Sequence, residues 1–218
     1  MDTKLLFLIN RQWTNPFLDW LMAIMTNFDL WRPLLFILIP FLLWRGGFRW
    51  RAFIFAALVT LGVADGIFTE VTKRLVDRPR PGQALADVRE VALVRTHPQV
   101  LAVLRAPEVG LSPIPSGDII GRSFPSGHAV NNSVLATLAI LFFGRLGALY
   151  LVPAALICYS RIYCGSHWPS DVFISVFAGV GFALTGYALL AYLYRKVTAR
   201  WFPRFHSLHP ELVPPAPR

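Results

Sequence analysis

The sequence predicts an all-α fold: an integral membrane helical bundle of about five transmembrane helices, with an interfacial helix ahead of them. Three observations carry this. Of 218 residues, 55% are hydrophobic and only 15% charged, and mean hydropathy is positive, a balance that soluble domains rarely reach. The apolar residues cluster in blocks too long for globular strands. Arginines flank those blocks, as at membrane boundaries. The chain has room for one membrane domain, 31–200, after an interfacial segment, 1–30. A proline-rich tail, 201–218, is expected to be disordered.

A span needs about 20 apolar residues, fewer where flanking side chains snorkel. Ahead of the first span, Phe17 to Phe28 is apolar but short, with Asn15-Pro16 as a helix start and Asn27-Phe28-Asp29 as a stop. An interfacial helix is expected there. One alternative is a long tilted span from Pro16 to Trp44, which places Asp29 and Arg32 near mid-membrane at a cost of several kcal/mol. A separate sixth span is the other. The first span proper reads from Trp31 to Trp44, tryptophan-ended like an interfacial belt, and the second from Arg51 to Val71. The third runs from Gly127 to Phe143, the fourth from Leu146 to Tyr163 and the fifth from Asp171 to Tyr194.

Loop charges set the orientation. Arg45, Arg49 and Arg51 lie between spans one and two, Arg145 between three and four, and Arg195, Lys196, Arg200 and Arg204 after span five. With five crossings all three groups share one side, which the positive-inside rule makes cytoplasmic. The N-terminus and the segment after span two then face the periplasm or exterior of an inner membrane. In that segment the arginines are mixed with Asp77, Asp87, Glu90, Glu108 and Asp118. Its loop, 82–122, is longer than most connections. Residues 85–94 and 100–104 read there as short helices, and the loop serves either as a cap over a site or as a surface connector. No signal-peptide pattern opens the chain, so the first span is expected to direct insertion.

The net charge of +9 does not indicate nucleic acid, because the arginines flank apolar blocks instead of forming a basic stripe with interleaved aromatics. Cys158 and Cys164 are six apart in one apolar block, on different helix faces, and read as packing residues. No four-ligand zinc spacing is present, and no metal or cofactor is expected. His206 and His209 in the tail read as solvated.

Three polar clusters edge the apolar blocks. Lys73 and Arg80-Pro81 close span two; Pro125-Ser126-Gly127-His128 opens span three; Ser160-Arg161, His167 and Asp171 join spans four and five. Five crossings bring all three to one membrane face. Two histidines, a carboxylate and three cations are what phosphoryl transfer through a histidine requires. His167 and Asp171 are four apart, so the carboxylate is expected to reach back to one ring nitrogen and free the other for attack. Ser126 and Gly127 place a helix start where a phosphate can approach its N–H groups, and His128 can move protons there. Each residue also has a plain structural role: Ser126 as an N-cap, Asp171 as a cap, Lys73 as a snorkelling flank. For Arg74 and Arg78 the flank reading is preferred. Asp65 is placed to steady Lys73 or Arg161, or to sit in a bundle salt bridge. Asn131 and Asn132 read as interhelical hydrogen-bonders. The membrane setting makes a lipid phosphate the expected substrate.

Across residues 65–171 these clusters resemble the type 2 phosphatidic acid phosphatase family. Its pattern is Lys-x6-Arg-Pro, Pro-Ser-Gly-His and Ser-Arg-x5-His-x3-Asp, and this sequence matches it without departure. The resemblance implies metal-independent hydrolysis of a lipid phosphate or diphosphate through a phosphohistidine. It makes His167 the nucleophile, Asp171 its orienter and His128 the acid and base, with Lys73, Arg80, Ser126, Gly127 and Arg161 binding phosphate. Undecaprenyl diphosphate, phosphatidylglycerophosphate, phosphatidic acid, diacylglycerol diphosphate and lipid A all offer that group. A phosphotransferase using the same site, and a non-catalytic lipid-binding or transport protein, are the alternatives.

Overall fold

A computed structural model describes residues 1–115 and 121–213, so Asp118 and the last residues of the tail lie outside the described residues. Helix α1 (Asp2–Phe7) runs into a π-helical turn, and α2 (Pro16–Thr26) follows. Asn15 caps α2 by accepting the Leu18 amide (2.9 Å) ahead of Pro16, whose missing N–H costs nothing at a helix start. Asn27 then ends α2, and its side chain caps α3 (Phe28–Arg45) through the Leu30 amide (3.1 Å). The chain bends there by 51°, so α2 and α3 form a broken pair and not one straight tilted span.

Helix α4 (Phe48–Val63) continues without a break through a π turn (Ala64–Thr69) into α5 (Glu70–Val76). Asp77, in the left-handed conformation (φ 44°), ends it. After α6 (Pro81–Ala84) come β1 (Arg89–Ala92), a 3₁₀ segment (Gln99–Leu104) and β2 (Glu108–Leu111). The bundle resumes with α7 (Gly127–Phe143), α8 (Arg145–Ala148), α9 (Leu151–Tyr163), α10 (Pro169–Trp201) and α11 (Pro203–Leu208). By length and composition Phe48–Ala84, Arg145–Tyr163 and Pro169–Trp201 can each cross a membrane, and the bent α2–α3 pair adds a fourth. The 17 residues of α7 reach only about 26 Å. That helix occupies the bundle centre, packed on α4, α9 and α10, where protein and not lipid surrounds most of it. Gly179 of α10 allows the close approach: a Cβ there would lie 2.5 Å from the Val130 carbonyl.

Ring contacts order the two ends of the bundle. Trp50 lies 4.3 Å from Phe143 and Phe48 lies 5.9 Å from Tyr194, centroid to centroid. The turn carrying Arg45 to Arg51, the turn at Arg145 and the end of α10 therefore meet at one end. The three polar clusters gather at the other.

Two expectations are corrected. Residues 85–94 are not a helix: β1 pairs antiparallel with β2, Arg89 opposite Leu111. Val91 and Leu93 are buried while Ala92 is exposed, the period-two pattern of a strand. Residues 100–104 do turn helically, but as 3₁₀. The tail is also ordered as far as described. Helix α10 runs to Trp201 and α11 folds back, stacking His209 on Phe48 at 4.3 Å and burying Leu212 in the main core. His206 meets the Thr198 hydroxyl (2.8 Å) and is not merely solvated. Aromatic and aliphatic burial here outweighs the prolines.

Candidate active site

Lys73 stands in the last turn of α5, paired with Glu70 at 3.7 Å. Gly127, first in α7, faces it. A Cβ on Gly127 would lie 3.1 Å from the Asp65 carboxylate and 3.8 Å from the Lys73 ammonium. Asp65 therefore sits in the π turn against the start of α7; the ion pair of Lys73 goes to Glu70 instead. π turns interrupt α-helices mostly where function needs a side chain re-aimed.

Ser126 precedes α7 and is fully buried. Its amide donates to the Ser175 hydroxyl (2.9 Å), yet its own hydroxyl has no partner among the described residues. The same holds for Nε2 of His128 and Nε of Arg161. Buried polar atoms are nearly always satisfied, so three such atoms from three site residues mark a place shaped for a polar ligand. Arg161 is in the last turn of α9 and donates from Nη1 to the Thr26 hydroxyl at the break between α2 and α3. Thr26 had no signal in the sequence. Asn132 bonds within α7 to the His128 carbonyl (2.8 Å) and accepts from Tyr150 (2.8 Å).

After α9 the chain turns through Gly165 (φ 69°), where a Cβ would collide with the Arg89 carbonyl at 2.6 Å. The turn presents His167, 3% exposed. Its Nδ1 lies 2.6 Å from the Ser123 carbonyl. A carbonyl can only accept, so Nδ1 carries the proton and the lone pair is on Nε2. Burial, reinforced by Arg161 and Arg80, holds this imidazole well below its usual 6.5, although the Ser123 carbonyl works the other way. The charge of Arg161 acts on both imidazoles; Arg80 and His128 also act on His167, and Lys73 and Asp65 on His128. Lys73, Arg80, Ser126, Gly127, His128, Arg161 and His167 therefore converge.

Asp171 is one step removed, and its expected bond to His167 is corrected. Helix α10 begins at Pro169, between the two residues, so helical i,i+4 geometry does not apply to them. The Asp171 carboxylate is fully buried and accepts from the Ser123 hydroxyl (2.5 Å), from Arg78 (2.5 Å) and from the Trp168 amide (3.2 Å). It holds Ser123, whose carbonyl holds His167. Arg78 is thus part of the site and not a lipid-facing flank. The guanidinium also donates to Asp2 (2.7 Å) and lies 5.3 Å from the Trp168 ring centre. Burial works to raise the Asp2 carboxyl, but hydrogen bonds from Ser170 and Arg78 prevail and hold it below its usual range. Ser123, Arg78 and Asp2 were missed in the sequence; only the nearness of Ser123 to Pro125-Ser126-Gly127-His128 could have signalled one of them.

Outside the cluster, Arg89 pairs with Asp19 through two 2.9 Å contacts and meets the Asn10 carbonyl (3.3 Å). This ties the hairpin to α2 and the N-terminal segment.

A family model described as the PAP2 superfamily matches residues 51–195. A lipid A 4'-phosphatase of Bacteroides thetaiotaomicron is 27% identical over 205 residues, 92% of this chain and 80% of that protein. A putative undecaprenyl-diphosphatase, YbjG, of Escherichia coli is 42% identical over 62 residues, 27% of this chain and 30% of that protein. The crystal structure of Aquifex aeolicus LpxE shares the fold, with a TM-score of 0.58 and 24% identity, covering 85% of this chain and 93% of that one.

Proposed function

The chain belongs to the PAP2 superfamily, and from that premise we propose that it hydrolyses a lipid phosphate through a phosphohistidine on His167, at the outer face of an inner membrane. The single observation that carries the chemistry is the Nδ1–Ser123 contact (2.6 Å), which leaves the lone pair of a neutral, buried His167 on Nε2 among Arg161, Arg80 and His128.

In this reading Lys73, Arg80 and Arg161, with Ser126 and the N–H groups that Gly127 exposes, bind the phosphate and compensate the charge spread over its oxygens in the transition state. Nε2 of His167 attacks phosphorus as the bond to the lipid oxygen breaks, and His128 protonates that oxygen. His128 then takes a proton from water, which displaces phosphate from His167 and restores the enzyme. Asp171 is a positioning residue acting through Ser123. Fixed cations supply the compensation, so no metal step is invoked.

A phosphorylated glycolipid of the lipid A kind is the favoured substrate, because the lipid A 4'-phosphatase aligns along nearly the whole chain and the diphosphatase match covers about a quarter. The arginine-rich turns at the far end of the bundle support the outward-facing site.

Purified protein given lipid A, undecaprenyl diphosphate and phosphatidic acid in chelator is expected to release phosphate, fastest from lipid A. His167→Ala is expected to fold and release none. A strict divalent-metal requirement, or unchanged turnover in His167→Ala, would overturn the mechanism.

A further inference from the structure

The N-terminal segment, expected only to lie on the membrane, reaches into the charged network behind His167. Asp2 accepts the Ser170 amide (3.0 Å) on one carboxylate oxygen, and the Ser170 hydroxyl (2.6 Å) and Arg78 (2.7 Å) on the other. One arm of the Arg78 guanidinium is therefore held by Asp2. The other arm contacts Ser170 (2.9 Å) and Asp171 (2.5 Å). The contacts run on without a gap from Asp171 to the Ser123 hydroxyl and from the Ser123 carbonyl to His167.

We infer that Asp2 is a positioning residue for the phosphate chemistry: it fixes the direction of Arg78, and through Asp171 and Ser123 it aims Nε2 of His167. This rests on the proposed function above. The geometry gives Asp2 two separate tasks. It satisfies an orphan N–H in the first turn of α10, the helix that carries Asp171. It also stops Arg78, about a third exposed, from swinging out to water. Side chains 76 and 168 positions away in sequence meet on this one carboxylate, which makes α1 part of the site's frame.

The role predicts a particular kinetic signature. Asp2 touches no phosphate-binding residue other than by way of His167, so substrate binding should hardly change. What suffers is the aim of the attacking nitrogen, and that falls on kcat.

The test uses the full chain. Asp2→Asn, Asp2→Glu, Arg78→Lys and the Asp2→Asn/Arg78→Lys double variant are assayed for phosphate release from the best lipid, with unfolding midpoints taken on the same samples. Asp29→Asn, a change at an exposed acid paired with Arg32 at 3.3 Å, is the control expected to match wild type. Asp2→Asn should lower kcat about tenfold with KM within twofold. Asp2→Glu should recover most of that loss, and the double variant should lose less than the two single losses combined. Equal kcat in Asp2→Asn and wild type would overturn the assignment, as would equal losses in the Asn and Glu variants. A loss explained wholly by the unfolded fraction would overturn it too. Wild type that releases phosphate from no lipid would overturn the proposed function itself, a result distinct from these.

Discussion

Replacing Gly127 with alanine should separate stability from activity. The added Cβ would lie 3.1 Å from the Asp65 carboxylate oxygen, 3.6 Å from a Thr69 methyl and 3.8 Å from the Lys73 ammonium. All three are side-chain ends, and only the first is tight, so a shift of a few tenths of an ångström accommodates the methyl. Gly127 is in ordinary helical conformation at the first position of α7, where alanine is favoured over glycine by up to about 1 kcal/mol. The fold should therefore be unharmed or slightly stabilised. The same methyl would stand between Lys73 and the first N–H groups of α7, where the phosphate is proposed to bind. Pushing the phosphate back by roughly 1 Å costs on the order of a hundredfold in rate, about 2.7 kcal/mol of transition-state stabilisation. The assay is initial-rate phosphate release across a range of lipid concentrations, with thermal unfolding in the same detergent. Turnover within twofold of wild type would refute the placement of the phosphate against Gly127. So would a loss matched by a fall in the unfolding midpoint.

Arg78→Ala leaves the buried Asp171 carboxylate without its cation; because Arg78 is about a third exposed, a loss of about 2 kcal/mol in stability is expected, with a fall in kcat larger than any change in KM. Chemical or thermal unfolding together with steady-state kinetics checks both. Arg89→Ala breaks a mostly buried pair with Asp19 and unpins the hairpin from α2, so unfolding should cost about 3 kcal/mol less, while kcat per folded molecule stays near wild type. For pH, the lowered His167 value keeps the nucleophile neutral well below 6.5. The acid limb of kcat/KM, measured between pH 4 and 8, should therefore fall below that of a free imidazole at about 6.5. The sign for stability is the same: the contribution of His167 is present above about 6.5 and is lost as the pH falls from there through the folded-state value.

Much of this site was readable in the sequence because its residues sit at helix ends. Pro169 marks the start of α10, Gly127 follows a serine at the start of α7, and Lys73 precedes a proline-arginine stop, so the ends of three spans could be placed before any geometry was known. What could not be read were the partners of buried groups. The spacing of His167 and Asp171 suggested a direct bond only if both lay on one helix; the helix begins between them, and the carboxylate is spent on Ser123, Arg78 and the Trp168 amide. Arg78 looked like one more basic flank because its acids come from Asp2 and Asp171, at opposite ends of the chain. The hairpin was mistaken for a helix because Val88, Val91 and Leu93 fit both periods over so short a stretch. The tail was taken for disorder from its prolines, when its aromatic side chains decide its fate.

The π turn at Ala64–Thr69 has a consequence for how this protein tolerates change. It holds one residue more than an α-helical turn would, and everything after it is phased by that surplus. Deleting any single residue from 64 to 69 would let the segment relax into regular α-helix and rotate the remainder by about 100°. The Lys73 ammonium would then turn away from Gly127, although every charged side chain except a deleted Asp65 was still in place. Along this stretch the chain should accept many replacements and almost no change in length.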